Sequence, residues 1–203
     1  MRNLLFSFIF SLIAVGANGA VEYQTGDLIF HMSQGRQAAA ITEAQGSPYS
    51  HMGVLVKESN SWLVYEAIQP VKKTPLASFI ARGKNKHFVV KRINPSVFDM
   101  SSTLAQNALI REMSQFLDYN YDIFFQWSDD TIYCSELAYK AYFRALGIQP
   151  GVLQKVGDLD LTGPNIRKLI AERERQLGHP ADLNEPIITP VAIMNSAILT
   201  EVR

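Results

Sequence analysis

The stretch that most constrains the fold of this chain runs from Met52 to Ala67. Two strand-like runs, Met52-Gly53-Val54-Leu55-Val56 and Ser61-Trp62-Leu63-Val64-Tyr65-Glu66-Ala67, flank the polar Lys57-Glu58-Ser59-Asn60. Runs rich in β-branched and aromatic residues around a short polar segment pair as an antiparallel hairpin. Leu28-Ile29-Phe30, after the turn Gln24-Thr25-Gly26-Asp27, and residues 87–93 supply two further strands. Between strands, helices are expected over residues 33–43, with Ala38, Ala39, Ile41 and Thr42 inward, and over residues 75–81, entered at a proline.

From Ser101 the period changes from two to about 3.6. Leu104, Ala105, Ala108, Leu109, Met113, Phe116 and Leu117 recur at helical spacing behind a serine cap. A Tyr- and Asp-rich loop, 119–132, leads into a helix that starts at the chain's one cysteine and ends at Gly147. That helix sets Cys134, Ala138, Ala141 and Ala145 on one small-residue face. A last helix is expected over residues 163–177, and Ile187-Ile188-Thr189-Pro190 as a returning strand. Strands followed by helices define an α+β domain whose helices pack against an antiparallel sheet.

The amino terminus reads as a secretory signal. One basic residue, Arg2, precedes an apolar run from Leu4 to Val15 and the small residues Gly16-Ala17-Asn18-Gly19-Ala20. Cleavage after Gly19 leaves residues 20–203 as one domain of roughly 180 residues with a full core. The apolar run is short for a membrane span, and no second one follows it. The 203 residues carry 19 basic and 19 acidic side chains without a basic patch, which gives no support for nucleic-acid binding. The expectation is an exported protein, periplasmic in a Gram-negative host.

Exported proteins usually pair their cysteines, because their compartments are oxidising. A lone Cys134 is therefore inert or kept for its chemistry, and a helix start favours the second by lowering a thiol's pKa. A thiol nucleophile needs a base and a group that orients the base. His51 begins the hairpin's first strand and Glu66 nearly ends the second, so the two are expected close to opposite one another. Scattered histidines and a single cysteine form no zinc motif, so no metal or other cofactor is expected. Asp27 reads as a turn former, Asp129-Asp130 as shaping the loop, and Phe124, Phe125 and Trp127 as groove or core aromatics.

Gly26-Asp27-Leu28-Ile29, Tyr49-Ser50-His51-Met52-Gly53-Val54, Val64-Tyr65-Glu66-Ala67, Tyr121-Asp122 and Tyr133-Cys134-Ser135-Glu136 occur in this order. The series resembles the circularly permuted papain-fold amidases of the YiiX and YaeF type, relatives of the NlpC-type cell-wall peptidases. In this permuted order the histidine and the acid precede the cysteine. The resemblance implies a permuted papain-like fold with the nucleophile at a helix amino terminus. It also implies Cys134 as nucleophile, His51 as base and Glu66 as its orienter. Tyr121, with Tyr49 and Tyr133 as competitors, is similar to a tyrosine that polarises the substrate carbonyl. The implied function is a cysteine amidase or peptidase acting on cell-wall or other small peptides. Acyl transfer or ester hydrolysis on lipids, and peptide or amino-acid binding without turnover, are the alternatives.

Overall fold

A computed structural model of the chain describes residues 22–202; the expected signal segment, 1–19, lies outside them. The strands are β1 (Leu28–His31), β2 (His51–Glu58), β3 (Ser61–Glu66), β4 (Lys72–Pro75), β5 (Phe88–Ile93), β6 (Gln154–Lys155), β7 (Pro186–Ile187) and β8 (Leu199–Glu201). The helices are α1 (Arg36–Gln45), α2 (Leu76–Arg82), α3 (Thr103–Ser114), α4 (Cys134–Leu146), α5 (Pro164–Leu177) and α6 (Pro190–Met194). Six strands form one antiparallel sheet in the order β4-β3-β2-β1-β5-β8, and β6 pairs with β7 in a separate two-stranded ribbon.

The hairpin forms as its sequence dictates, with Glu58 paired to Ser61 and a two-residue turn at Ser59-Asn60. Ser59 takes a positive φ of 53°, as tight hairpin turns require of their central residues. Alternation along the strands divides the core between two faces. Leu28, Phe30, Met52, Val54 and Tyr65 join residues of α3 and α4 in the larger cluster. Ile29, Leu55 and Val64 instead pack with Phe79 of α2 and Val90. Full burial of side chains this size contributes about 1.5–3 kcal/mol each, so both faces of the central strands are held.

Several expectations shift. Helix α1 buries Ala38, Ala40 and Ala44, whereas Ala39, Ile41 and Thr42 are only partly covered. The reason is α5: Ala40 and Ala44 meet its Ile166, rotating the buried stripe toward a partner that α1's own sequence does not reveal. The expected strand at 187–190 is reduced to Pro186–Ile187, because Thr189 turns the chain into α6 by accepting the Ala192 N–H. Strands β4 and β8, short edge partners with little apolar content, were not foreseen. No helix among the described residues is long and apolar enough to cross a membrane.

Candidate active site

Cys134 is the first residue of α4, where the opening turn's amide N–H groups have no intrahelical acceptor. Glu136 accepts the Tyr133 N–H at 3.3 Å and pairs with Lys140 at 2.7 Å, tying down that turn. The helix packs against β2 and brings the thiol, 4% exposed, to the start of that strand. There His51 and the Met52 backbone N–H both act on it to lower its pKa.

The other face of the imidazole meets the acid. His51 Nε2 lies 2.6 Å from Glu66 Oε2. The two residues are not directly opposed, as the sequence suggested. Val54 pairs with Tyr65, so continuing the register puts Gly53 opposite Glu66 and leaves His51 on the diagonal. A side chain at position 53 would occupy the gap: a Cβ there would lie 2.7 Å from the Tyr65 carbonyl and 3.3 Å from the Glu66 Cβ. The missing Cβ of Gly53 is what lets the carboxylate cross to the imidazole.

Glu66 has no exposed surface and three donors, which make four contacts with it. Thr74 Oγ1 donates to Oε1 at 2.5 Å, and Arg82 Nη2 reaches both oxygens at 2.5 and 2.6 Å, alongside His51. Burial alone would protonate this carboxyl; His51, Arg82 and Thr74 outweigh it and bring its pKa down to about 2. Burial likewise opposes the His51 imidazolium, but Cys134 and Glu66 beside it raise it to about 9. The Cys134 thiol is pushed up by burial and pulled down further by His51, and its pKa ends below the ordinary value. Both shifts run in the direction of a thiolate–imidazolium pair.

Two aromatic rings fix the imidazole plane. Phe79 stacks on His51 at 5.7 Å between centroids, and His31, paired with His51 across β1 and β2, meets it edge-on at 5.1 Å. His31 is 2% exposed and neither of its ring nitrogens has a hydrogen-bond partner. Burial, then the charge on His51, lower its pKa to about 4.

The tyrosines divide. Tyr121 Oη accepts from Gln37 Nε2 at 3.0 Å, which leaves its own O–H free to donate. Tyr49 instead engages its hydroxyl with His87 at 2.8 Å; Tyr133, like Tyr121, accepts a hydrogen bond, from the Ile188 N–H at 3.1 Å, but borders only the apolar cavity. Asp27 accepts the Gln24 N–H at the turn and pairs with Arg92, while Asp129 pairs with Lys140 and Arg144 of α4.

Two cavities meet at the thiol–imidazole pair. Cys134 lines one, a mostly apolar cavity whose walls include Tyr121, Phe125, Leu159, Ile166, Leu169 and Ile188. His51 lines the other, among Ser33, Gln34, Gln37 and Gln69. Tyr121, Ser50 and Ile41 border both. Arg82, Thr74, His31 and the apolar cavity were missed from sequence. The one available signal was the run of apolar residues at helical spacing in α5.

A buried thiol at a helix start, an imidazole on a strand end and a carboxylate behind it define a protein of the papain-like thiol class, here in permuted order. The chain belongs to the family described as permuted papain-like amidase enzyme, YaeF/YiiX, which matches residues 22–202. It is 37% identical over 202 residues to the uncharacterised protein YiiX of Escherichia coli, covering 100% of this chain and 96% of that one. A crystal structure of the metalloprotein YiiX from Escherichia coli superposes with a TM-score of 0.80 at 38% identity, covering 89% of this chain and 96% of the other.

Proposed function

We propose that this protein is an exported cysteine amidase in which Cys134 attacks the substrate carbonyl, His51 moves the proton and Glu66 orients His51. The observation that carries the reading is the juxtaposition of Cys134 and His51, each shifting the other's pKa, with the 2.6 Å contact from His51 to Glu66 behind them. The thiolate adds to the carbonyl carbon, and the oxyanion is received by the free N–H of Cys134 at the helix start, with the Tyr121 hydroxyl as second donor. Imidazolium then gives its proton to the leaving amine as the C–N bond breaks, leaving a thioester. Water, deprotonated by His51, hydrolyses the thioester and restores the thiol.

Because His51 protonates the leaving group, the amine side of the substrate belongs in the glutamine-lined cavity and the acyl side in the apolar one. The acyl cavity's apolar walls favour a hydrophobic acyl group over a polar stem peptide of the cell wall, so hydrolysis or transfer of a lipid acyl ester is the second reading. The solved relative is described as a metalloprotein. Here Cys134 and His51 offer two donors side by side, and no group of three or more His, Cys, Asp or Glu among the described residues converges on one point.

The test is the pH–rate profile of alkylation of Cys134, the sole thiol, by a haloacetamide. Reaction that persists well below the ~8.5 of a free thiol and is lost in His51→Ala supports the activated pair. A slow reaction that the substitution leaves unchanged overturns it.

A further inference from the structure

The acyl cavity contains one cation that the mechanism does not use. Arg173 of α5 lines the same cavity as Cys134. Its guanidinium lies 4.5 Å over the Phe125 ring, and Nη2 reaches Gln37 Oε1 at only 3.5 Å. Gln37 in turn donates to Tyr121 at 3.0 Å. The guanidinium thus stands one side chain away from the tyrosine that borders both cavities.

Arg173 differs from the other partly or fully buried basic residues of the described chain. Lys73, Lys91, Arg92 and Lys140 each have a carboxylate within 4 Å; Arg173 has none. Asp122 and Glu172 act on it only from further away. Asp122 is occupied by the N–H groups of Phe124 and Gln126, and Glu172 by Arg36. The acids that line the cavity are also engaged: Glu174 accepts from Ala181, Asp182 from Asn184 and Glu185 from Trp127. A half-buried guanidinium facing an apolar cavity without a counter-ion is costly to hold. Phe125, which supports it, takes a positive φ of 57°, an unfavourable conformation for a bulky side chain.

We propose that Arg173 is the anchor for an anionic group of the substrate, a carboxylate or a phosphate, held beside the reacting carbonyl with the apolar chain lying along the cavity. This rests on the reading of the two cavities as the substrate site. It narrows the substrate to an amphiphile: an acyl compound that carries a negative charge near its scissile bond. A planar guanidinium that still has free N–H donors is the group that recognises such an oxyanion by paired hydrogen bonds.

Calorimetric binding to the Cys134→Ala protein tests this without any turnover. The probes are N-decanoylglycine, its uncharged methylamide and decanoyl-phosphoethanolamine. The acid, the phosphate or both are expected to bind about tenfold or more tightly than the methylamide, as charge-assisted hydrogen bonds allow. Whichever anion gains more identifies the source of the charge. Adding Arg173→Gln abolishes the advantage and Arg173→Lys retains part of it. The readout is the ratio of charged to uncharged ligand, so a general loosening of the cavity, which weakens both alike, does not imitate it. Equal affinities for all three probes, no binding of any, or a preference that survives Arg173→Gln would each overturn the proposal. Because the thiol is absent throughout, failure here is separate from failure of the alkylation test.

Discussion

Glu66 reaches His51 diagonally across the β2–β3 hairpin, and the 2.6 Å contact passes over Gly53. Diagonal neighbours in a sheet stand about 7–8 Å apart at Cα, within reach of long side chains only if nothing intervenes. Gly53→Ala is expected to force the hairpin apart, because the new Cβ meets the backbone oxygen of Tyr65 at 2.7 Å. Backbone cannot step aside as a side-chain tip would. The expected cost is about 1–3 kcal/mol, or roughly 2–4 °C of melting temperature per kcal/mol in a domain of this size. Thermal melting checks the first effect, and alkylation of Cys134 at neutral pH the loss of the aligned imidazole. An unshifted melt would show that the hairpin accommodates the methyl group freely.

Removing the charge of Glu66 while keeping its shape separates orientation from electrostatics. In Glu66→Gln the imidazolium loses its counter-ion, so the His51 pKa falls from about 9 and the Cys134 pKa rises. The alkylation profile is expected to move upward toward the ~8.5 of an ordinary thiol, and amide turnover to drop by about 10²-fold or more. Arg82, 40% exposed at its side chain, can hydrate once its partner is neutral, so the protein should still fold. A profile identical to that of the unsubstituted protein would sink the role given to the acid.

The hairpin, its flanking strands, the helix begun by Cys134 and the nearness of His51 to Glu66 were legible in the sequence, because each is a local pattern or lies within one. What supports them was not. Arg82 and Phe79 act on Glu66 and His51 only because α2 folds back across the sheet. Arg173 enters the cavity only because α5 packs on α1. The same packing turned the buried stripe of α1 from Ala39, Ile41 and Thr42 to Ala40 and Ala44. Register was the finer failure: the hairpin could be read, but not that Gly53 rather than His51 faces Glu66.

Three groups at the site titrate in separate windows, and the sign of each follows from its shift. Glu66, lowered to about 2, adds stability above the unfolded carboxylate value of ~4.3, lost as pH falls through about 2. His51, raised to about 9, adds stability below ~6.5 that is lost as pH rises through about 9. His31 is lowered to about 4, so its neutral ring adds stability above ~6.5 that is lost as pH falls through about 4. His31→Phe keeps an aromatic edge against His51 without a proton site. Relative to the unsubstituted protein, its melting temperature should therefore improve progressively from pH 6.5 down to 4. A constant difference across that range would mean that His31 is not held neutral by the fold.

Tyr121 supplies the last separable step. Its hydroxyl oxygen accepts from Gln37 at 3.0 Å, so the proton is free to point into the cavity where the oxyanion forms. Tyr121→Phe removes that donor together with the acceptor of the Gln37 amide, while the ring keeps its edge contact with Phe125 at 6.5 Å. Loss of one oxyanion donor typically slows the chemical step by about 10²–10³-fold. The decrease should fall on kcat, with KM nearly unmoved, because the interaction exists only once the carbonyl carbon has become tetrahedral. Alkylation by a haloacetamide forms no oxyanion, so its rate in Tyr121→Phe should match that of the unsubstituted protein. Parallel loss of alkylation and hydrolysis would instead mean that Tyr121 acts by positioning the thiol, and the second donor would have to be sought elsewhere in the cavity wall.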